Sequence, residues 1–362
     1  HNSDLTDDKV IEALPGRGSY GGGYSQSQFP RVDLTVDAGG TKLDYAFSFS
    51  IYSNSSGSYS YASASLSAAA YREGEITLEG KKRRVVLLDF NSNGRFDDEF
   101  AIRDDVNTPD GKVYPAYGDV LLIDPPATPT GYLNPYDVTC CDGREQVSKL
   151  INLEGRFYDL EVTPAGDQLA LTPCSLPMGQ ITNPNDGFRA LVYGDKGVVK
   201  IAGDKSKPVA LPEGDWKLFA YTIDQSGYAK AEKKEEQQEA KPERSLLEAL
   251  SEALMGSAAS NARPIAGTRY TMVSAQATKD VEAVQVRQGK TVAMPFGPPY
   301  KPVVKVDYKQ GDGTVSLGMS VVGSAGEICS NLLVDGGKPK GPEFTIRTAG
   351  GDEVESGKFE YG

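Results

Sequence analysis

Period-two alternation of apolar and polar positions recurs along most of the chain from residue 31 onward, whereas a helical period stands out once. Successive side chains of a strand point to opposite faces, so such alternation between turn residues predicts half-buried β-strands. Residues 31–36 alternate. After a Gly39-Gly40 turn, Leu43, Tyr45, Phe47, Phe49 and Ile51 share one side of a strand that is expected to bury its odd-numbered face. Residues 58–70 alternate with small side chains, Ala62, Ala64, Leu66 and Ala68 against Tyr59, Tyr61 and serines. Residues 75–78 and 84–88 read as a hairpin around 79–82, and 118–124 as a second buried strand. The likeness of Val86-Leu87-Leu88-Asp89 to Leu121-Leu122-Ile123-Asp124 predicts that these two strands are neighbours.

Breaker residues cluster at 125–131, where three prolines and a glycine mark a boundary. Short strands resume between 150 and 223, and from 269 to 276. Further runs at 284–286, 291–294, 303–308, 314–319 and 344–347, with a last one at 357–362, continue the pattern. The expected fold class is mostly β, built as two or three antiparallel β-sandwich domains of Ig-like or jelly-roll-like type. The expected divisions are a Gly/Tyr-rich arm at 1–30, a β-domain at 31–130, a second sandwich at 131–280 and a C-terminal β-domain at 281–362.

The exception to alternation is an insertion at 228–265. A solvated charge run from Lys230 to Glu239 ends near Pro242, then Ser245 and Glu248 form a capping box. Leu246, Leu247, Leu250 and Leu254 line one face of the short amphipathic helix that follows, and Gly256 stops it. Such a helix either grips a partner or covers its own sheet edge.

Composition narrows the function. The formal net charge of −12 argues against nucleic acid and anionic membrane as partners, since both demand basic surface. No apolar run is long enough for a membrane-spanning helix. The chain starts at His1 without methionine, which is expected of an exported protein whose leader has been removed. That histidine is the only one, so catalysis by an internal imidazole and multi-histidine metal sites are excluded. Four cysteines, Cys140, Cys141, Cys174 and Cys329, lack zinc-type spacing. They read either as disulfide partners, one of the adjacent pair joining Cys174, or as buried thiols.

The stretch with the clearest chemistry is Asp89-Phe90-Asn91-Ser92-Asn93-Gly94, which follows an apolar strand. Side-chain oxygens at first, third and fifth positions with a glycine at the sixth suit Ca2+, a hard cation that takes six to eight oxygens. Arg95 would add its carbonyl, Asp97 and Asp98 follow at the ninth and tenth positions, and Asp119 is a further candidate from the neighbouring strand. The twelfth position is Phe100, so the closing glutamate of an EF-hand is missing. The alternative is an Asx-rich turn held by its own side chains.

The loop is similar to the calcium loops of dockerin and thrombospondin type 3 repeats, on Asp89, Asn91, Asn93 and Asp97. Its single copy departs from the duplicated dockerin repeat. Together with Gly118-Asp119, the Leu211-Pro212-Glu213-Gly214-Asp215-Trp216 element and the Phe359-Glu360-Tyr361-Gly362 ending, it resembles uncharacterised secreted bacterial β-sandwich proteins. The expectation is therefore a non-enzymatic extracellular or cell-envelope structural and assembly protein, with calcium as cofactor and other envelope subunits or its own copies as partners. Two alternatives stand beside it. Exposed aromatics such as Tyr20, Tyr24, Tyr59, Tyr61 or Trp216 would serve a carbohydrate-binding module, and a carboxylate pair would serve a glycoside hydrolase.

Overall fold

The computed structural model describes residues 6, 9–15, 23–56, 59–126, 138–139, 143–205, 207–225, 270–308 and 315–360. Among them the chain is all β, with no helix. Its sheets are antiparallel apart from one parallel pairing, Met178–Thr182 beside Thr291–Ala293. The expected helix with Leu246, Leu247, Leu250 and Leu254 lies outside the described residues, as do Cys140 and Cys141. Cys174 and Cys329 are free thiols, both partly buried.

Two hydrophobic cores organise the strands. The N-terminal core gathers Leu43, Tyr45, Val85, Leu87, Phe96, Leu121 and Ile123. The larger one gathers Phe188, Trp216, Phe219, Tyr221, Phe296 and Tyr300. Between them runs a three-stranded sheet of Leu150–Leu153, Arg156–Val162 and Leu169–Pro173. Its alternation is apolar on both sides: Leu150 and Phe157 enter the larger core, while Ile151, Leu153, Tyr158 and Leu160 enter the N-terminal one. A strand buried on both faces loses the polar half of its pattern. Residues of the expected 131–280 domain thus contribute to both cores.

The strand neighbours expected from sequence do pair. Val85 to Leu88 lie opposite Ile123 to Val120, antiparallel, on the far side of the Tyr71–Leu78 and Lys81–Leu88 hairpin. Glu79 and Gly80 both have positive φ at the tip, the two-residue turn that matches strand twist. Thr41–Ser56 is much longer than the core needs. Its first half pairs with Val32–Ala38, its second half with Tyr24–Gln28, and its other edge with Tyr59–Ala68. Residues 24–28, expected within a loose arm, are therefore a strand: a run of Tyr, Ser and Gln has no apolar face to read, and backbone pairing places it. The odd-face burial expected for 43–51 holds at Leu43 and Tyr45 and fades outward to Ile51.

In the larger core Trp216 is fully buried and its Nε1 donates to the Pro212 carbonyl at 2.8 Å. Glu327, also fully buried, accepts bonds from Gly297 N at 2.6 Å, Ala325 N at 2.8 Å and the Tyr221 hydroxyl at 3.0 Å. It clips the 323–327 turn to the segment carrying Phe296. Burial holds its carboxyl above the ordinary glutamate value, against the pull of those donors. The folded chain therefore keeps a proton that the unfolded chain releases, and this stabilisation is complete below about pH 4.3 and fades as pH rises. Glu327→Gln is expected to remove that fall in urea-unfolding free energy as pH rises above about 4.3. An unchanged slope would contradict it.

Candidate functional site

The strand Lys81–Leu88 delivers Asp89 to the top of the N-terminal core, where only 4% of the residue is exposed. A carboxylate there needs donors, and it has four. Oδ1 accepts Ser92 N at 2.6 Å and Asn93 N at 3.3 Å; Oδ2 accepts Gly94 N at 2.8 Å and the Tyr45 hydroxyl at 2.6 Å. Burial, and then this bond, push the Tyr45 phenol well above its ordinary value. Gly94 has φ of 82°, and a Cβ there would press on Val36 Cγ2 at 3.3 Å, so glycine answers both demands.

The remaining loop side chains turn towards one another. Asn91 Nδ2 and Asn93 Nδ2 both donate to Asp98 Oδ2, at 3.1 and 2.7 Å. Asn91 Oδ1 and Asn93 Oδ1 close successive turns on Asn93 N and Arg95 N. Asp97 is held in a two-pronged pair by Arg95, at 3.0 and 2.7 Å, and so faces its own neighbour. Phe96 is fully buried against Tyr45 in an edge contact at 6.4 Å, with the Arg72 guanidinium over its ring.

Asp119 arrives from the neighbouring strand, as the sequence places it, and is wholly buried. Its oxygens accept Phe90 N and Asp98 N, both at 3.0 Å, while its own N–H reaches the Asp98 carbonyl at 2.7 Å. It thus ties both ends of the loop together from beneath. Burial drives its carboxyl up to about 7, with the two N–H donors opposing. Gly118 makes this approach possible, because a Cβ would meet the Asp98 carbonyl oxygen at 2.2 Å. Asp124, at the other end of the strand, pairs with Arg83 instead.

Asn91 Oδ1 and Asn93 Oδ1 each accept one backbone N–H and keep a second lone pair for a hard cation. Asp98 accepts both amides on one of its two oxygens, whereas Asp89 already accepts four donors and would have to release one of them to ligate. Among the described residues no three carboxylate, histidine or cysteine side chains gather into a metal cluster. A cation in this loop would depend on amide oxygens.

A second assembly was only half visible in the sequence. Beyond the core, Tyr24–Gln28, the outer half of Thr41–Ser56 and Tyr59–Ala68 form a three-stranded blade. Across it runs a row of rings: Tyr24 to Tyr52 at 6.0 Å, Tyr52 to Tyr61 at 5.8 Å and Tyr61 to Tyr59 at 5.6 Å. Tyr24, Tyr59 and Tyr61 are exposed. The Tyr61 hydroxyl, hydrogen-bonded to that of Tyr52, raises the Tyr52 phenol to about 12. Of the other aromatics singled out from sequence, Trp216 is core and Tyr20 lies outside the described residues. Tyr52 was missed; the even positions of the 43–51 strand, continued outward, would have found it.

Asp89→Ala is expected to destabilise the protein by about 3–5 kcal/mol, because it strips buried donors of their acceptor. Urea unfolding measures this, and a loss below about 1 kcal/mol would show that the loop is not held as described.

Compared with known protein families, with curated proteins and with solved structures, the chain matches none.

Proposed function

We propose that this is a non-enzymatic extracellular or cell-envelope structural protein that assembles with copies of itself. The observation that carries the reading is the blade. Tyr59–Ala68 is ten residues long, exposed along most of its length, and among the described residues pairs only with Thr41–Ser56. Its other edge offers a row of backbone N–H and C=O groups. Exposed edges are normally guarded by lysine, proline or a bulge. Residues 45–71 contain no charged residue and no proline, in a chain that is 24% charged. An unguarded, uncharged edge on an otherwise acidic protein fits pairing with a second blade, where charge repulsion is least.

The two hydrophobic cores, gathered from several antiparallel sheets, suit β-sandwich bodies that carry this element. The Asp89 loop is proposed to hold calcium through Asp89, Asn91, Asn93 and Asp98 and the Arg95 carbonyl, adding a cross-link in place of core. The buried carboxylates support a structural role, for Asp89, Asp119 and Glu327 all have their oxygens on donors of the chain itself.

Particle size by light scattering and electron microscopy tests assembly. The wild-type protein is expected to form oligomers or filaments, and Ala62→Lys with Ala64→Lys, exposed changes on the edge strand, is expected to leave monomers of unchanged melting temperature. A wild-type monomer at all concentrations would overturn the proposal. For the loop, calcium at about a hundredfold excess over its Kd is expected to raise Tm by about 5 °C relative to chelator. Asn93→Ala with Asp98→Asn should abolish that rise, and a wild-type Tm indifferent to calcium would refute the cation.

A further inference from the structure

We infer that the tyrosine face of the blade is a binding site for a neutral, extended polysaccharide. Residues paired across an antiparallel ladder share a face. The registers therefore put Tyr24, Gln26 and Gln28 on one side of the blade with Ser50, Tyr52 and Asn54, and with Tyr59, Tyr61, Ser63 and Ser65. Four rings alternate with hydroxyls and amides, and no charged side chain interrupts them. The opposite face is different in kind, with Ile51 beside Ala64 and Phe49 beside Leu66.

Three features specify the ligand. Pyranose rings present flat C–H faces that stack on tyrosine and equatorial hydroxyls that meet Ser, Gln and Asn, the mixture this face offers. The absence of charge selects a neutral polymer and disfavours acidic ones. The rings step across all three strands instead of closing into a pocket, which suits a chain of sugars and not a single one.

Asn54 supplies a further pointer. It lies in register with both Tyr24 and Tyr61, between the rings, and is 8% exposed. Its Oδ1 has no hydrogen-bond partner. Buried acceptors without a donor are uncommon and costly. A sugar hydroxyl entering between the two rings would provide the missing donor.

This site uses the face of the blade, whereas the proposed assembly uses its edge, and the two fail separately. Isothermal titration calorimetry with cello-, chito- and manno-oligosaccharides, and with polygalacturonate as the charged control, tests it on the full chain. At least one neutral oligosaccharide is expected to bind, and polygalacturonate to bind more weakly. Tyr52→Ala and Tyr61→Ala are each expected to weaken binding about tenfold or more. At the blade tip, where folding is least at risk, Tyr59→Ala should weaken it and Tyr59→Phe should preserve it. The Ala62→Lys, Ala64→Lys protein should bind sugar normally even if it no longer assembles. Failure of all three neutral series to bind, equal affinity in the alanine variants, or loss of assembly without loss of sugar binding in Tyr59→Ala would overturn the inference.

Discussion

A single buried carboxylate sets the geometry of the N-terminal half. Asp89 sits at the junction of a core strand and a loop, and its oxygens are occupied by three loop amides and by Tyr45 from the long Thr41–Ser56 strand. Without those donors the charge could not remain in the core. With them, the loop takes one shape and the root of the blade is fixed to it. Phe96 below and Asp119 behind complete the attachment, so the elements that present the blade are coupled to the loop by hydrogen bonds and not only by apolar contact.

The same device recurs in the larger core. Glu327 draws Gly297, Ala325 and Tyr221 together as Asp89 draws its own donors. Between these two centres the 150–173 sheet gives one side chain to each core in turn. From the N-terminal core the Thr41–Ser56 strand runs on into an uncharged, tyrosine-faced blade. On the assembly reading, the net charge of −12 would oppose contact between copies, and the blade carries no charge of its own. Assembly through the edge and sugar binding through the face, as proposed, would be compatible uses of one element, because pairing along an edge would extend the ring row and not cover it.

Much of the β-content was legible because alternation survives wherever one face meets solvent, as at Val32–Ala38. The Asp89 loop was legible from spacing alone, since Asx turns and oxygen ligation demand the same residue types at the same intervals. What spacing could not reveal was the partner set: Tyr45 is far from Asp89 in sequence, and the bond between them depends on tertiary placement. Asp97 and Asp98 look equivalent as acids, yet Arg95 captures the first while two asparagine amides hold the second. Tyr24–Gln28 escaped notice because a strand held by backbone pairing, with no buried side, carries no apolar period. The tyrosine row escaped because its members come from three strands whose register only the fold supplies.

Amide hydrogen exchange on Tyr45→Phe tests the coupling of loop to blade most directly. This change deletes only the hydroxyl that reaches Asp89. If the carboxylate organises both elements, protection falls together at Ser92, Asn93 and Gly94 and along the Thr41–Ser56 strand, while the 188–223 strands of the larger core keep theirs. Loss confined to Tyr45 and its immediate neighbours, with the loop amides unchanged, would contradict the account.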